Sequence, residues 1–399
     1  MPPIRILTAV PICDGHDSAI NTINLELIRN GIEVVYLGYN RSAKSIVRAA
    51  VQEDVVAIGI STYNGGHIEF FEEVIEQLRR LRVQPEIKLF GGGGGTISRA
   101  DAEFMYRYGV DRIFFAGTTM TEMLTYVKTK YSGVVPALYD DAFAGTDQFI
   151  SRKLTIAEQG ERIPQNRLEK PASAPTRTTK VVGLSGPGGA GKTTLIDELI
   201  LRFLRTQPEN HRIAVLSHDP SVVGSGALLG DRATMIYSQN DRVFMRSLAT
   251  RGQTGGLSPG TGVCLNAIVQ SGVFDFALVE TVGTGQEAIP FGIESRQVDK
   301  IVLVMPPDYG GRLQLQKIAM IDAADAIVVN KSDLHGSRTA AAEIESRIRT
   351  SPDHRQQILI PTQANRHNDP GVDQLFNFLF ERPCIAEDAE DSGGHREKN

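Results

Sequence analysis

One stretch, residues 181–195, constrains the fold more than any other. An apolar run, Val181-Val182-Gly183-Leu184, leads into the turn Ser185-Gly186-Pro187-Gly188-Gly189-Ala190-Gly191-Lys192-Thr193-Thr194, and helix-forming residues follow. The turn fits G-x-x-x-x-G-K-[ST], with Gly186, Gly191, Lys192 and Thr193 in the fixed places. Glycines let successive backbone N–H groups converge on one concave nest, and the helix behind it aims its positive end at the same point. Lys192 brings a mobile charge to the outer phosphates, and the Thr193 hydroxyl is a ligand for Mg²⁺. The expectation is a strand, a phosphate-binding loop and a helix holding a nucleoside triphosphate.

The rest of the chain must say what the nucleotide is for. Its 399 residues suffice for two or three domains, and 41% hydrophobic with 22% charged residues is ordinary soluble composition. A net charge of -5 argues against a nucleic-acid partner, which asks for a basic face. Cys13, Cys264 and Cys384 lie far apart with no metal-ligand spacing, so a reducing, cytoplasmic setting is expected. No signal-peptide pattern opens the sequence, and no apolar run approaches the roughly 18 residues of a membrane span.

Residues 4–131 alternate short β-branched runs (4–10, 32–37, 55–61, 87–90 and 112–115) with amphipathic stretches (19–29, 68–81 and 118–130). That pattern predicts an α/β, doubly wound domain with a parallel sheet, whose ligands sit beyond the C-terminal strand ends. Polar residues gather at those ends: Asp14-Gly15-His16-Asp17-Ser18-Ala19 after the first, Ser61-Thr62-Tyr63 after the third, and Gly91 to Gly95 after the fourth. Between Ala19 and Ser61 lie 41 residues, and between Tyr63 and Gly91 lie 27.

This spacing resembles the cobalamin-binding domain of adenosylcobalamin mutases and methionine synthase, with D-x-H-x-x-G, then S-x-L, then G-G. The resemblance implies that His16 is the lower ligand to cobalt and that Asp14 holds its other nitrogen. It implies that Ser61 meets the nucleotide tail of the cofactor and that Gly91 and Gly92 let the tail pass, so a side chain at either would strike it. Ala19 and Tyr63 depart from the pattern, which has glycine and leucine there. The affinity consequence of these two residues stays open.

Residues 134–179 shift in composition. A short helix is expected within 151–165, and Lys170-Pro171-Ala172-Ser173-Ala174-Pro175-Thr176 reads as an extended tether. Beyond the phosphate loop, a strand over 213–216 ends in Asp219, placed either to hold Mg²⁺ or to cap a turn. Residues 224–235 lack periodicity and read as a loop able to order around a γ-phosphate. Arg232, Arg246 and Arg251 could face phosphate or simply solvent. A strand over 276–280 ends in Glu280, a further Mg²⁺ ligand, with the Gly283 amide placed to sense the γ-phosphate. Thr284 and Gln286 follow, and neither is assigned to the attacking water. Asn330-Lys331-Ser332-Asp333 decides the base. An aspartate at Asp333 accepts both N1–H and the 2-amino group of guanine, donors that adenine lacks, so GTP is expected. Asn330 would tie this loop to the phosphate loop, Lys331 would lie along the base, and Thr362 with Ala364 would contact the guanine oxygen. Residues 372–380 read as a closing helix and 386–399 as a polar, disordered tail.

Together these segments resemble the GTPase chaperones of acyl-CoA mutases, and residues 243–252 in particular resemble the G domain of fused isobutyryl-CoA mutases. The resemblance implies cobalamin binding over 1–133, a linker over 134–179, a P-loop GTPase domain with a mainly parallel sheet over 180–382 and a tail over 383–399. It implies Gly186, Gly188, Gly189, Ala190, Gly191 and Thr194 on the phosphates. Its third part, an acyl-CoA-binding barrel, needs at least about 200 residues and has no counterpart here. A separate large subunit is therefore expected as partner, with a homodimer through the G domain and an adenosyltransferase as cofactor donor. The alternatives are a stand-alone cobalamin-trafficking or sensing GTPase and a corrinoid methyl carrier.

Overall fold

The computed structural model describes residues 3–12, 14–16, 18–83, 86–133, 145–158, 178–222, 224–283, 291, 298–309, 320–350 and 357–380. In the N-terminal part, β1 (Arg5–Ala9), β2 (Glu33–Tyr36), β3 (Ala57–Ser61), β4 (Lys88–Gly92) and β5 (Arg112–Phe114) pair in parallel in the order β5-β4-β3-β1-β2. Every residue of β1 is buried, as a sheet covered on both faces requires. The expected helices are α1 (Ser18–Arg29), α3 (His67–Arg80) and α5 (Met120–Tyr131). Two more appear that periodicity alone did not mark, α2 (Ala43–Gln52) and α4 (Arg99–Tyr108). Their starts are written in the sequence: the Ser42 hydroxyl accepts from the Ser45 amide, and Ser98 with Asp101 forms a reciprocal capping box.

The helix α6 (Asp147–Glu158) starts earlier than the stretch expected to hold one. Its Ile150 and Leu154 enter a core with Phe244, Leu248 and Cys264, so residues 147–158 are docked and do not serve as tether. The proline-containing segment 170–176 lies outside the described residues.

The second sheet has seven parallel strands, β6 (Lys180–Ser185), β7 (Ile213–Asp219), β9 (Val243–Ala249), β10 (Phe276–Glu280), β11 (Lys300–Met305), β12 (Ala326–Val329) and β13 (Ile358–Pro361). Their order is β13-β12-β11-β6-β10-β7-β9, which places the phosphate loop at the C-terminal end of the central strand. Around it lie α7 (Lys192–Thr206), the single turn α8 (Asp231–Thr234), α9 (Thr261–Ser271), α10 (Met320–Ala323), α11 (Ser337–Thr350) and α12 (Pro370–Phe380). Separate apolar clusters cover the two faces.

The two sheets are joined by an excursion between β7 and β9. There β8 (Ala227–Leu229) adds to the first sheet, parallel to β2, with Glu33 opposite Ala227 and Val35 opposite Leu229. This corrects the reading of 224–235 as a phosphate-ordered loop. Three residues carry no readable period, and the edge they complete is far away in sequence.

The arginines expected at phosphate or solvent sit at this junction instead. Arg232 and Arg246 are 0% and 1% exposed. Arg232 donates to Glu53 at 3.1 Å, Arg246 to Glu158 at 2.8 Å, and Arg251 to Glu33 at 3.1 Å. Arg5 closes the network, donating to Glu33 at 2.9 Å and Glu158 at 3.3 Å. Deep burial is tolerated because each guanidinium meets carboxylates, and removing one partner of such a pair costs about 3–5 kcal/mol.

Candidate functional site

At the C-terminal end of the first sheet, the loop after β1 presents His16. Its Nδ1 is 2.8 Å from Asp14 Oδ1, and its side chain is 60% exposed. Asp14 is itself buried, and its other oxygen accepts from the amides of Tyr63 at 2.6 Å and Asn64 at 3.2 Å. Burial pushes this carboxyl up, yet the amide bonds from Tyr63, His16 and Asn64 win and hold it below the usual carboxylate range. An ionised Asp14 fixes the proton on Nδ1 and leaves Nε2 as the ring nitrogen available to a ligand. Tyr63, unassigned by the sequence pattern, packs its ring against His16 with centroids 4.8 Å apart.

Beside this loop lies a cavity of about 230 Å³ lined by Thr8, Ala19, Ile20, Ser61, Phe90 and Phe114, with Gly91 and Gly92 on its wall. Apolar walls suit a planar aromatic tail, and the loop between the lining residues Thr8 and Ala19 carries the Asp14–His16 pair, so the residues fit a cobalamin. The packing places a further demand on these two glycines. A Cβ at Gly91 would lie 2.5 Å from Phe71 Cζ and 2.6 Å from the Ile60 oxygen, and one at Gly92 would lie 2.7 Å from the Phe114 oxygen. The protein itself demands these glycines, whatever fills the cavity.

In the second sheet, Gly186, Gly189 and Gly191 take φ of 149°, 74° and 86°, opening the loop that carries Gly188 and Ala190 into a nest. Lys192 is buried and donates to the Gly186 and Pro187 carbonyls at 3.1 and 3.2 Å. The Thr193 hydroxyl donates to Glu280 Oε1 at 2.8 Å, and Thr194 follows in α7. A Cβ on Gly283 would come within 2.5 Å of the Gly188 nitrogen, so Gly283 lies against the phosphate loop as a γ-phosphate sensor requires. Thr284 and Gln286 lie outside the described residues.

Glu280 and Asp219 come together as expected, and Asp231 joins them. Oε2 of Glu280 and Oδ2 of Asp219 are buried with no hydrogen-bond partner, because the Ser217 hydroxyl is given to Asp231. Burial, then the Asp231 charge, raises the Glu280 carboxyl from 4.5 to about 8. Burial and Asp231 likewise raise Asp219 well above its usual range. The Lys192 charge opposes these shifts at Glu280 and Asp231 without cancelling them, so the cluster can accept the charge of a further cation. Among the described residues no three or more His, Cys, Asp or Glu side chains form a closed metal cage. Mg²⁺ asks for none, since it keeps waters and takes one or two carboxylates with phosphate oxygens. Thr193, Glu280 and Asp219 fit it.

His218 braces this cluster from behind. Its Nδ1–H donates to the Glu280 carbonyl at 2.6 Å, and Nε2 is 2.7 Å from Thr261 Oγ1. Burial pushes the imidazole down to about 4, so it is neutral and rigid. The sequence offered no signal for this role.

A pH prediction follows from Glu280. Its folded carboxyl keeps a proton that the unfolded chain sheds above 4.5, so this contribution to stability is full below 4.5 and is lost as pH rises through about 8. Glu280→Gln in the nucleotide-free protein should therefore melt higher than the parent at pH 9 and equal to it at pH 4.5. Differential scanning calorimetry across that range decides, and a melting difference independent of pH would refute the assignment.

At the far end of the sheet, Asn330 Nδ2 donates to the Ala190 carbonyl at 2.8 Å, tying its loop to the phosphate loop. Lys331 takes a φ of 59°, and both Lys331 and Asp333 are exposed at the mouth. Thr362 and Ala364 differ from expectation. The Thr362 hydroxyl and the Ala364 amide both donate to Asn330 Oδ1, at 3.1 and 3.0 Å. Both donors tie residues 362–364 to the Asn330 loop.

Residues 150–397 match the family model described as Methylmalonyl Co-A mutase-associated GTPase MeaB. The chain belongs to this GTPase family. Residues 4–125 of the MeaB-family chain match the B12 binding domain. The Fused isobutyryl-CoA mutase of Cupriavidus metallidurans is 37% identical over 396 residues, covering 94% of this chain and 35% of that protein. The protein of the same description from Geobacillus kaustophilus is 36% identical over 399 residues, with 95% and 36% covered. From Mus musculus, the Methylmalonic aciduria type A homolog, mitochondrial, is 42% identical over 154 residues, covering 38% of this chain and 35% of that protein. The chain thus spans about a third of the length of the fused relatives it matches. Among the described residues no helix is long and apolar enough to cross a membrane.

Proposed function

We propose that this chain is the cobalamin-carrying small subunit of an adenosylcobalamin-dependent acyl-CoA mutase, of the isobutyryl-CoA type, fused to its own GTPase chaperone. The observation that carries the proposal is the pairing of Asp14 with His16 on a loop flanked by Thr8 and Ala19, two residues that line an apolar cavity, in the same chain as a GTPase nucleotide site. Adenosylcobalamin supplies radicals by homolysis of its cobalt–carbon bond. The chain's own residues bind and orient. His16 Nε2 would hold the cobalt, Asp14 would keep that imidazole in one tautomer, and Phe90 and Phe114 would exclude water from the tail. Ser61 would hydrogen-bond the tail where it enters.

At the other site, Gly186 to Thr194 would cradle the phosphates of GTP, Lys192 would neutralise the outer ones, and Thr193, Asp219 and Glu280 would hold Mg²⁺. Gly283 lies against Gly188, where its amide would lose a contact when the γ-phosphate leaves. A separate large subunit would bind the acyl-CoA over the upper face of the corrin. A cytoplasmic adenosyltransferase would deliver the cofactor, and the G domain would pair two copies. GTP and GDP would then favour different arrangements, admitting intact cofactor and releasing damaged cofactor, because equal affinity for both would shift nothing.

Two measurements test this. Purification of the full chain from its own cells should bring down an acyl-CoA-binding barrel subunit; purification alone favours the trafficking reading. Transfer of adenosylcobalamin onto the complex should differ between GTP, GDP and a non-hydrolysable analogue, and equal transfer with all three overturns gating.

A further inference from the structure

We infer that the cobalamin-binding domain completes the GTPase site: Glu53, acting through Arg232, is a positioning residue that sets Asp231 against the cation position formed by Thr193, Asp219 and Glu280. This rests on the nucleotide reading above and adds to it a residue from the other domain.

Gln52 ends α2 and Glu53 caps it, and both are fully buried. Both side chains turn toward β9, the outermost strand of the second sheet. Gln52 Nε2 donates to the Val243 carbonyl at 2.9 Å, and its Oε1 accepts from the Met245 amide at 3.3 Å. Glu53 accepts from the Ser247 amide at 3.0 Å and from its hydroxyl at 3.0 Å. Residues 243, 245 and 247 share one side of the strand, so two side chains of the first domain satisfy an edge that would otherwise lie open.

Arg232 is clamped into the same seam. Its Nε donates to Glu53 at 3.1 Å, Nη1 to Gln52 Oε1 at 3.1 Å and Nη2 to the Met245 carbonyl. A guanidinium is rigid and planar, so these three directions fix the backbone of the turn that carries it. Asp231 is the preceding residue, in that turn. One further bond pins the same turn, in which Arg41 donates to the Ala233 carbonyl at 2.7 Å, and just beyond it Asp197 accepts from the Tyr237 amide at 2.9 Å. The Asp231 carboxylate is hydrogen-bonded by Ser217 of β7, the strand that ends in Asp219. A carboxylate one shell away from a cation tunes and orients its ligands, and loss of such a partner costs roughly 10–100-fold in metal affinity.

The test uses the full chain and a fluorescent, non-hydrolysable GTP analogue, titrated with Mg²⁺. Glu53→Gln should raise the Mg²⁺ concentration for half-maximal tightening about tenfold, with analogue affinity in EDTA unchanged. Glu53→Asp, which keeps the charge, should fall between it and the parent, and it carries the test if Glu53→Gln does not fold. Asp54→Asn is the control. It breaks the Arg152–Asp54 contact at 3.0 Å, which also joins α2 to α6 but does not touch Arg232. It should lower the melting temperature and leave the Mg²⁺ requirement unchanged. An unshifted requirement in the Glu53 variants, or an equal shift in Asp54→Asn, overturns the inference. A parent chain that binds no GTP analogue would instead sink the nucleotide reading itself.

Discussion

Asp333→Asn is expected to lower GDP and GTP affinity at least about a hundredfold and to make xanthosine nucleotides the preferred ligands. The parent carboxylate offers two acceptors to the N1–H and 2-amino donors of guanine. An amide turns one acceptor into a donor, which opposes the 2-amino group and matches the 2-oxo group of xanthine. Stability should not change, since Asp333 is exposed and the loop is anchored elsewhere, by Asn330 on the Ala190 carbonyl at 2.8 Å. Titration calorimetry with GDP and with xanthosine diphosphate reads both halves of the exchange. Unaltered GDP affinity would mean that the base is held by other groups.

His16→Ala should produce the second large effect, at the other end of the molecule. The side chain is 60% exposed, so its removal should leave the fold intact, and on the proposed function it would remove the protein ligand to cobalt. Cobalamin affinity should fall by at least about a hundredfold, with Asp14→Asn losing about ten- to a hundredfold. Protein carrying ¹⁵N-labelled histidine and loaded with cob(II)alamin supplies an independent readout. The electron spin resonance of the parent should show coupling to one ¹⁵N nucleus, and that of His16→Ala should not. Coupling that survives in the variant would remove His16 from the cobalt.

The features legible in the sequence are those whose chemistry is local or spaced along one strand end. Gly186 to Thr193 form the nest their spacing predicts, Asn330 reaches the phosphate loop, and Asp14 holds His16. What stayed hidden depends on partners distant in sequence. Arg232 reads as a surface charge until Glu53, 179 residues away, closes over it. Asp231 looks like a turn residue until Ser217 and the orphaned Asp219 are placed beside it. Thr362 and Ala364 resemble base contacts, yet their donors are spent on Asn330. Gly91 and Gly92, at the end of β4, carry a packing demand that no motif announces, because a sequence cannot say that Phe71 fills the space next to Gly91.

The parallel addition of β8 to β2 also bears on synthesis. Glu33 cannot meet Ala227 until the ribosome has made nearly two hundred further residues, roughly ten to forty seconds at ordinary elongation rates. Throughout that interval the first sheet carries an unpaired β2 edge, and Arg5 and Glu33 await Arg251 and Glu158. The boundary drawn at residue 133 by composition is therefore no boundary for folding. A chain cut there would keep an adhesive edge for good, and the nascent protein keeps one until its nucleotide-binding half emerges to cover it.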